Sequence, residues 1–161
     1  YEKELDMAEF VWGGYRLEVD VEATRAYYDS HPGPWITCTC DGCRNFMLAV
    51  KMLPQAVRDF FHTLGLDPEK PGELCYYQGT AQRLSGGGWY HLAGRILSGD
   101  TEPGAKVLFP AGWYELDEHC SVAFKSDCDL LEEDFPRPCF QMEFNHDLPW
   151  LLNKKNPYQY D

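Results

Sequence analysis

Basic side chains are scarce in this chain. Lys and Arg number 14 against 26 Asp and Glu, a formal net charge of −12 at pH 7. A phosphate backbone is bound by Lys and Arg that displace condensed counterions, so this balance argues against nucleic acid as a partner. Anionic membrane surfaces are disfavoured for the same reason. Long apolar runs are also missing. None approaches the ~18 residues of a transmembrane helix, so no membrane partner is expected. The opening residues, Tyr1–Glu9, carry both charge signs and have no signal-peptide apolar region. There is no internal repeat and no low-complexity tract.

The usual catalytic signatures are absent too. The five histidines form no H-x-x-x-H pair. Ser85 is not in a nucleophile elbow, and Gly86-Gly-Gly88 lacks the Lys-Ser/Thr of a phosphate loop. The acidic stretch Asp127, Asp129, Glu132, Glu133 and Asp134 misses the EF-hand spacing and reads as a solvated face. No enzyme class emerges.

What is present is enough for a folded core. The chain has 161 residues, 44% hydrophobic and 15% aromatic, which excludes general disorder and predicts a single domain over 1–161. Phe10–Val19 reads as two strands around a Gly13-Gly14 turn. Asp20 can cap a helix over Val21–Asp29, and His31-Pro-Gly-Pro34 stops it. Phe46, Met47, Val50 and Leu53 have helical period within Cys43–Leu53. Pro54 suits the start of a further helix with Val57, Phe60, Phe61 and Leu64 on its apolar face and Gly65 as its C′ residue.

Beyond residue 73 the pattern turns to strands. Leu74–Gln78, Ala81–Leu84, Trp89–Leu97, Lys106–Phe109, Cys120–Phe124 and the stretch around Phe140, Met142 and Phe144 are the candidates, with Gly86-Gly-Gly88 as a turn. Alternation sets Tyr90, Leu92, Gly94 and Ile96 on one face, and Trp89, His91, Ala93, Arg95 and Leu97 on the other. The expected class is α+β: an N-terminal hairpin and a helical part over about 20–66, packed on a mostly antiparallel sheet over about 74–152.

Seven cysteines cannot all pair within one chain, and a reducing cytoplasm is the expected location. Four of them, Cys75, Cys120, Cys128 and Cys139, are dispersed and read as packing. The other three lie within Cys38-Thr-Cys40-Asp-Gly-Cys43. Three thiolates could hold one Zn²⁺ at about 2.3 Å, with the C-x-x-C spacing of a knuckle and Gly42 freeing the backbone to curl. Tetrahedral zinc would require sulfurs about 3.7 Å apart. The fourth ligand must come from elsewhere, with His31 the first candidate and His62 and Cys75 the others; no second C-x-x-C supplies it. Cys40, just before a helix start, also has the placement of a redox thiol. Against both stands the plainer expectation of semi-buried structural cysteines.

Three further features attract notice. Arg44 could clamp a carboxylate, or simply pair with an acidic neighbour. Asn45 could bridge loop and helix. His91, with Trp89 and Arg95, could line a groove on the sheet.

At Cys40-Asp-Gly-Cys43-Arg-Asn-Phe46, Leu64-Gly-Leu-Asp-Pro68, Gly88-Trp-Tyr-His91 and Leu148-Pro-Trp150 the chain resembles an uncharacterised bacterial family with C-x-x-C-R-N-F, L-G-[IL]-D-P, G-x-Y-H and L-P-W motifs. The resemblance implies an intracellular bacterial protein and transfers no catalytic residue. It also implies interest in Cys40, Cys43, Arg44, Asn45, Tyr90 and His91 as one site.

Three functional expectations follow. The first is a non-enzymatic acidic module of inhibitor or immunity type, docking a basic protein partner. The second is a structural zinc-binding or thiol protein using Cys38, Cys40, Cys43 and His31. The third is an enzyme or small-ligand binder around Tyr90, His91 and Arg44.

Overall fold

A computed structural model describes residues 7–99 and 112–159, so the expected strand at Lys106–Phe109 lies outside the described residues. The fold is α+β, and the described residues form three α-helices and a mostly antiparallel seven-stranded sheet. Strands β1 (Met7–Trp12) and β2 (Tyr15–Asp20) form the N-terminal hairpin, with Trp12 opposite Tyr15 across the expected two-glycine turn. The helices are α1 (Val21–Ser30), α2 (Asp41–Ala49) and α3 (Gln55–Thr63). The remaining strands are β3 (Glu73–Gly79), β4 (Arg83–Ser98), β5 (Tyr114–Glu115), β6 (Cys120–Lys125) and β7 (Cys139–Pro149).

Local chemistry explains the helix ends. The Asp20 carboxylate accepts from the Ala23 N–H at 3.0 Å and starts α1. The end of α3 is a Schellman motif: Leu66 N–H donates to the Phe61 carbonyl and Gly65 N–H to His62, with Gly65 at φ +85°. The second helix begins two residues earlier than its apolar period indicates, at Asp41, and tightens after Ala49 into a 3₁₀ turn, Val50–Met52.

The sixteen-residue β4 organises the sheet, whose order is β1-β2-β4-β7-β6-β5 with β3 also on β4. One edge of β4 pairs with β7 from Arg83 to Ala93. The other edge pairs first with β3 and then with β2. Between those two partners, side chains of α1 satisfy the backbone. The Tyr28 hydroxyl donates to the His91 carbonyl (2.8 Å) and accepts its N–H (3.0 Å), and Thr24 Oγ1 accepts the Ala93 N–H (3.0 Å).

Gly86-Gly-Gly88 is therefore not a turn. It lies inside β4, opposite Tyr76, Cys75 and Leu74 of β3. A Cβ on Gly86 would stand 2.6 Å from the Cys75 carbonyl oxygen, and one on Gly88 2.5 Å from that of Glu73. Close approach of two backbones, and not chain reversal, is what these glycines serve.

Alternation along the central strands holds. Tyr90, Leu92, Val122, Phe124, Phe140, Met142 and Phe144 form one buried face. Phe61 of α3 sets its ring edge-on to Tyr90 and Phe144, 5.0 Å from each. Among the described residues, no helix is long and apolar enough to cross a membrane.

Candidate metal centre

Cys38, Cys40 and Cys43 converge. Their sulfur atoms all lie within 4.8 Å of one another, the first two exposed and the third buried. Tetrahedral zinc requires about 3.7 Å, so gathering three thiolates on one ion means closing gaps of about 1 Å at most. This group could hold a metal ion.

Three elements build it. Cys40 is the N-cap of α2, and its sulfur accepts the Cys43 N–H at 3.4 Å. Cys43 is on the helix's inner face with Phe46, Ala49 and Val50. From β3, the Tyr76 hydroxyl donates to Cys43 Sγ at 3.2 Å. From the C-terminal segment, the Tyr158 hydroxyl accepts the Gly42 N–H at 3.2 Å and also meets the Cys40 thiol. Gly42 sits within the first turn of α2, and its lack of a side chain makes room for the Tyr76 ring; a Cβ there would be 2.5 Å from it. The glycine serves packing beside the thiols, where the sequence pointed to backbone curling.

The environment divides the three thiols. Burial works against the Cys40 thiolate, but hydrogen bonds from the Cys43 N–H, Cys38, Cys43 and Tyr158 outweigh it and hold the thiol below its ordinary pKa. Burial pushes the Cys43 thiol up to about 12, opposed in part by the Tyr76 hydroxyl. Beside them Asp41 draws in two cations, Lys154 Nζ at 2.8 Å and Arg44 Nη1 at 3.5 Å.

His31 lies outside this group. Its Nε2 is 2.9 Å from Asp134 Oδ2, its Nδ1 is 2.7 Å from the Tyr27 carbonyl, and its ring stacks on Tyr27 at 4.1 Å. Cys75 lies near Tyr77 and Gly87, with its sulfur 3.5 Å from the Tyr77 hydroxyl and 3.6 Å from the Gly87 carbonyl. His62 is exposed on α3. Of the dispersed cysteines only Cys120 is buried; Cys75 is exposed, and Cys128 and Cys139 are half-buried with sulfurs 3.9 Å apart.

Arg44, Asn45, Tyr90 and His91 are not gathered into one site. Tyr90 lies in the core, its hydroxyl donating to the Pro68 carbonyl at 2.7 Å. His91 points to the opposite face of β4, with Nε2 2.8 Å from Gln141 Oε1. Arg44 is exposed. Asn45 is buried and ties two distant stretches together, its amide donating to the Pro149 carbonyl (3.0 Å) and its oxygen accepting the Leu151 N–H (2.6 Å). That clamp joins Cys40–Phe46 to Leu148-Pro-Trp150 in space.

A polar network absent from the sequence reading surrounds His91. Fully buried Gln141 accepts from His91 Nε2 and the Asp129 N–H and donates to the Asp129 and Glu143 carboxylates. Burial holds His91 below its ordinary pKa and Glu143 above it, while Lys125, at 2.7 Å, holds Asp129 below. Sequence reasoning missed Gln141 because alternation marks a strand's wet face without saying which of its residues a loop will cover. Among the described residues, acidic side chains border a cleft of about 340 Å³, with Glu115, Asp117, Glu118 and Asp147, and another of about 550 Å³, with Trp35, Glu132 and Asp134.

Comparison of the chain with protein-family models, with curated proteins and with solved structures returns no match.

Proposed function

We propose that the Cys38–Cys43 loop is a zinc-binding thiolate site that fastens the start of α2 to β3 and the C-terminal segment. The observation that carries this reading is the convergence of three sulfurs within 4.8 Å. Thiolates are soft donors suited to Zn²⁺. The hydroxyls of Tyr76 and Tyr158 give the sulfurs the hydrogen-bonded surroundings that orient metal ligands. Because a metal that binds only the folded chain adds its binding free energy to stability, the site would act on folding directly. The test is elemental analysis of the reduced chain purified without chelator, beside a Cys40→Ser variant. About one zinc per wild-type chain and a large loss in the variant are expected; sub-stoichiometric metal in both would end the reading.

A second reading, docking of a basic protein partner, is supported by the two acidic clefts. It predicts binding to a basic partner that weakens as salt rises. Binding indifferent to salt would remove it.

A further inference from the structure

The next step rests on the metal reading of the cysteine loop. Four-coordinate zinc needs a donor beyond three sulfurs. The residues that the sequence offered are placed elsewhere: His31 is held by Asp134 and Tyr27, Cys75 lies by Tyr77 and Gly87, and His62 is on exposed α3. Among the described residues, the set of mutually close Cys, His, Asp and Glu donors at this loop is the three cysteines. The buried member, Cys43, meets Tyr76 on the protein side, while Cys38 and Cys40 are exposed, so the cluster opens toward solvent.

Charge defines what could approach. Three thiolates on a divalent ion carry a net −1, yet two cations flank the loop in a chain of net −12. Lys154 is held closely by Asp41, at 2.8 Å. Arg44 makes one long contact with the same carboxylate, at 3.5 Å, and its side chain is 55% exposed. A guanidinium offers five N–H donors in a planar fork that suits a carboxylate, so most of that capacity is open.

We infer that a metal on Cys38, Cys40 and Cys43 keeps its fourth position for an exogenous thiol that carries a carboxylate, with Arg44 holding the carboxylate. The step is ligand exchange. A metal–water bond breaks, a metal–sulfur bond forms, and the thiol proton goes to solvent with the released water. No electrons are transferred. A soft thiolate suits a site already built from thiolates.

The experiment uses Co²⁺ as a visible reporter in the reduced full chain, with gel filtration to show that the ion stays bound. Mercaptoacetate should change the Co²⁺ spectrum saturably, 2-mercaptoethanol should do so about tenfold more weakly for want of the charge-assisted pair, and acetate alone should leave the spectrum unchanged. Arg44→Ala should bind Co²⁺ as the wild type does but lose the advantage of mercaptoacetate. A bound Co²⁺ spectrum indifferent to both thiols, as four protein donors would give, overturns the inference and leaves the metal reading standing. Extraction of the ion by the thiols also overturns it. An Arg44→Ala chain that keeps the preference overturns the assignment of the carboxylate. Failure of the chain to bind Co²⁺ or Zn²⁺ at all overturns the metal reading itself.

Discussion

Two polar regions of this molecule contrast. Around Gln141, on the face of the sheet away from α3, buried His91 and Gln141 complete their hydrogen bonds with half-buried Glu143 and Lys125 and with exposed Asp129, and the five form one network. At the start of α2 the thiols bond to one another, to the Cys43 N–H and to Tyr76 and Tyr158; two of them are exposed, and none is in a disulfide. A network with its hydrogen bonds made specifies packing, and breaking it strands buried groups. A cluster of convergent soft donors with spare capacity is where a ligand fits. The comparison teaches which polar residues belong to the fold and which remain available for chemistry.

The first way to break it is Gln141→Leu. Removing the amide takes from buried His91 its Gln141 partner and from half-buried Glu143 a donor, while exposed Asp129 keeps Lys125, and unfolding by denaturant should show a loss of about 3 kcal/mol. Cys40→Ser in metal-free protein should cost well under that, about 1 kcal/mol or less, since a serine hydroxyl can still cap the Cys43 N–H and the sulfur it replaces is exposed. Equal losses would dissolve the distinction.

Acid acts on the buried histidines. His146 lies between Phe46 and Phe144 at 5.3 and 5.1 Å, and burial pushes it down to about 3; His91 is also held below its ordinary value. Below about pH 6.5 the unfolded chain takes up protons that the folded chain refuses. Stability should therefore be full above that pH and fall by a few kcal/mol toward pH 3. His146→Phe should flatten much of the slope in a pH series of denaturant melts; an unchanged slope would assign the acid sensitivity elsewhere.

Asn45→Ala tests the bridge between the cysteine helix and the C-terminal segment. Two backbone partners, on half-buried Pro149 and exposed Leu151, lose their bonds to a buried side chain, and the expected cost is about 2 kcal/mol. Hydrogen exchange should show the loss concentrated near Leu151; uniform change would mean a global effect. The smallest expected effect is Arg44→Ala, within about 0.5 kcal/mol in a thermal melt, because its pair with Asp41 is long and exposed.

Much of this was legible in the residues. The Gly13-Gly14 hairpin, the Asp20 cap, the Gly65 terminus and the alternation through Tyr90, Phe140 and Val122 are local patterns, and local patterns survive into the fold. Gly86-Gly-Gly88 was not readable, because three glycines look the same whether the chain turns or a neighbouring backbone crosses it closely. Spacing alone brought the three cysteines together. Tyr76 and Tyr158 could not be foreseen, since they reach the site from 33 and 116 residues away. Tyr90 and His91 were joined by the family resemblance, while their own alternation set them on opposite faces, and in the structure alternation prevails.

The central claim is that the exposed thiols of Cys38 and Cys40 serve a metal. The direct measurement is their alkylation rate in native, zinc-loaded protein, read by peptide mass spectrometry before and after a chelator is added. Both should label slowly while zinc is bound and rapidly once it is removed, with Cys75, also exposed, labelled alike before and after the chelator. Rapid labelling of Cys38 and Cys40 in the presence of zinc, unchanged by the chelator, would contradict the claim.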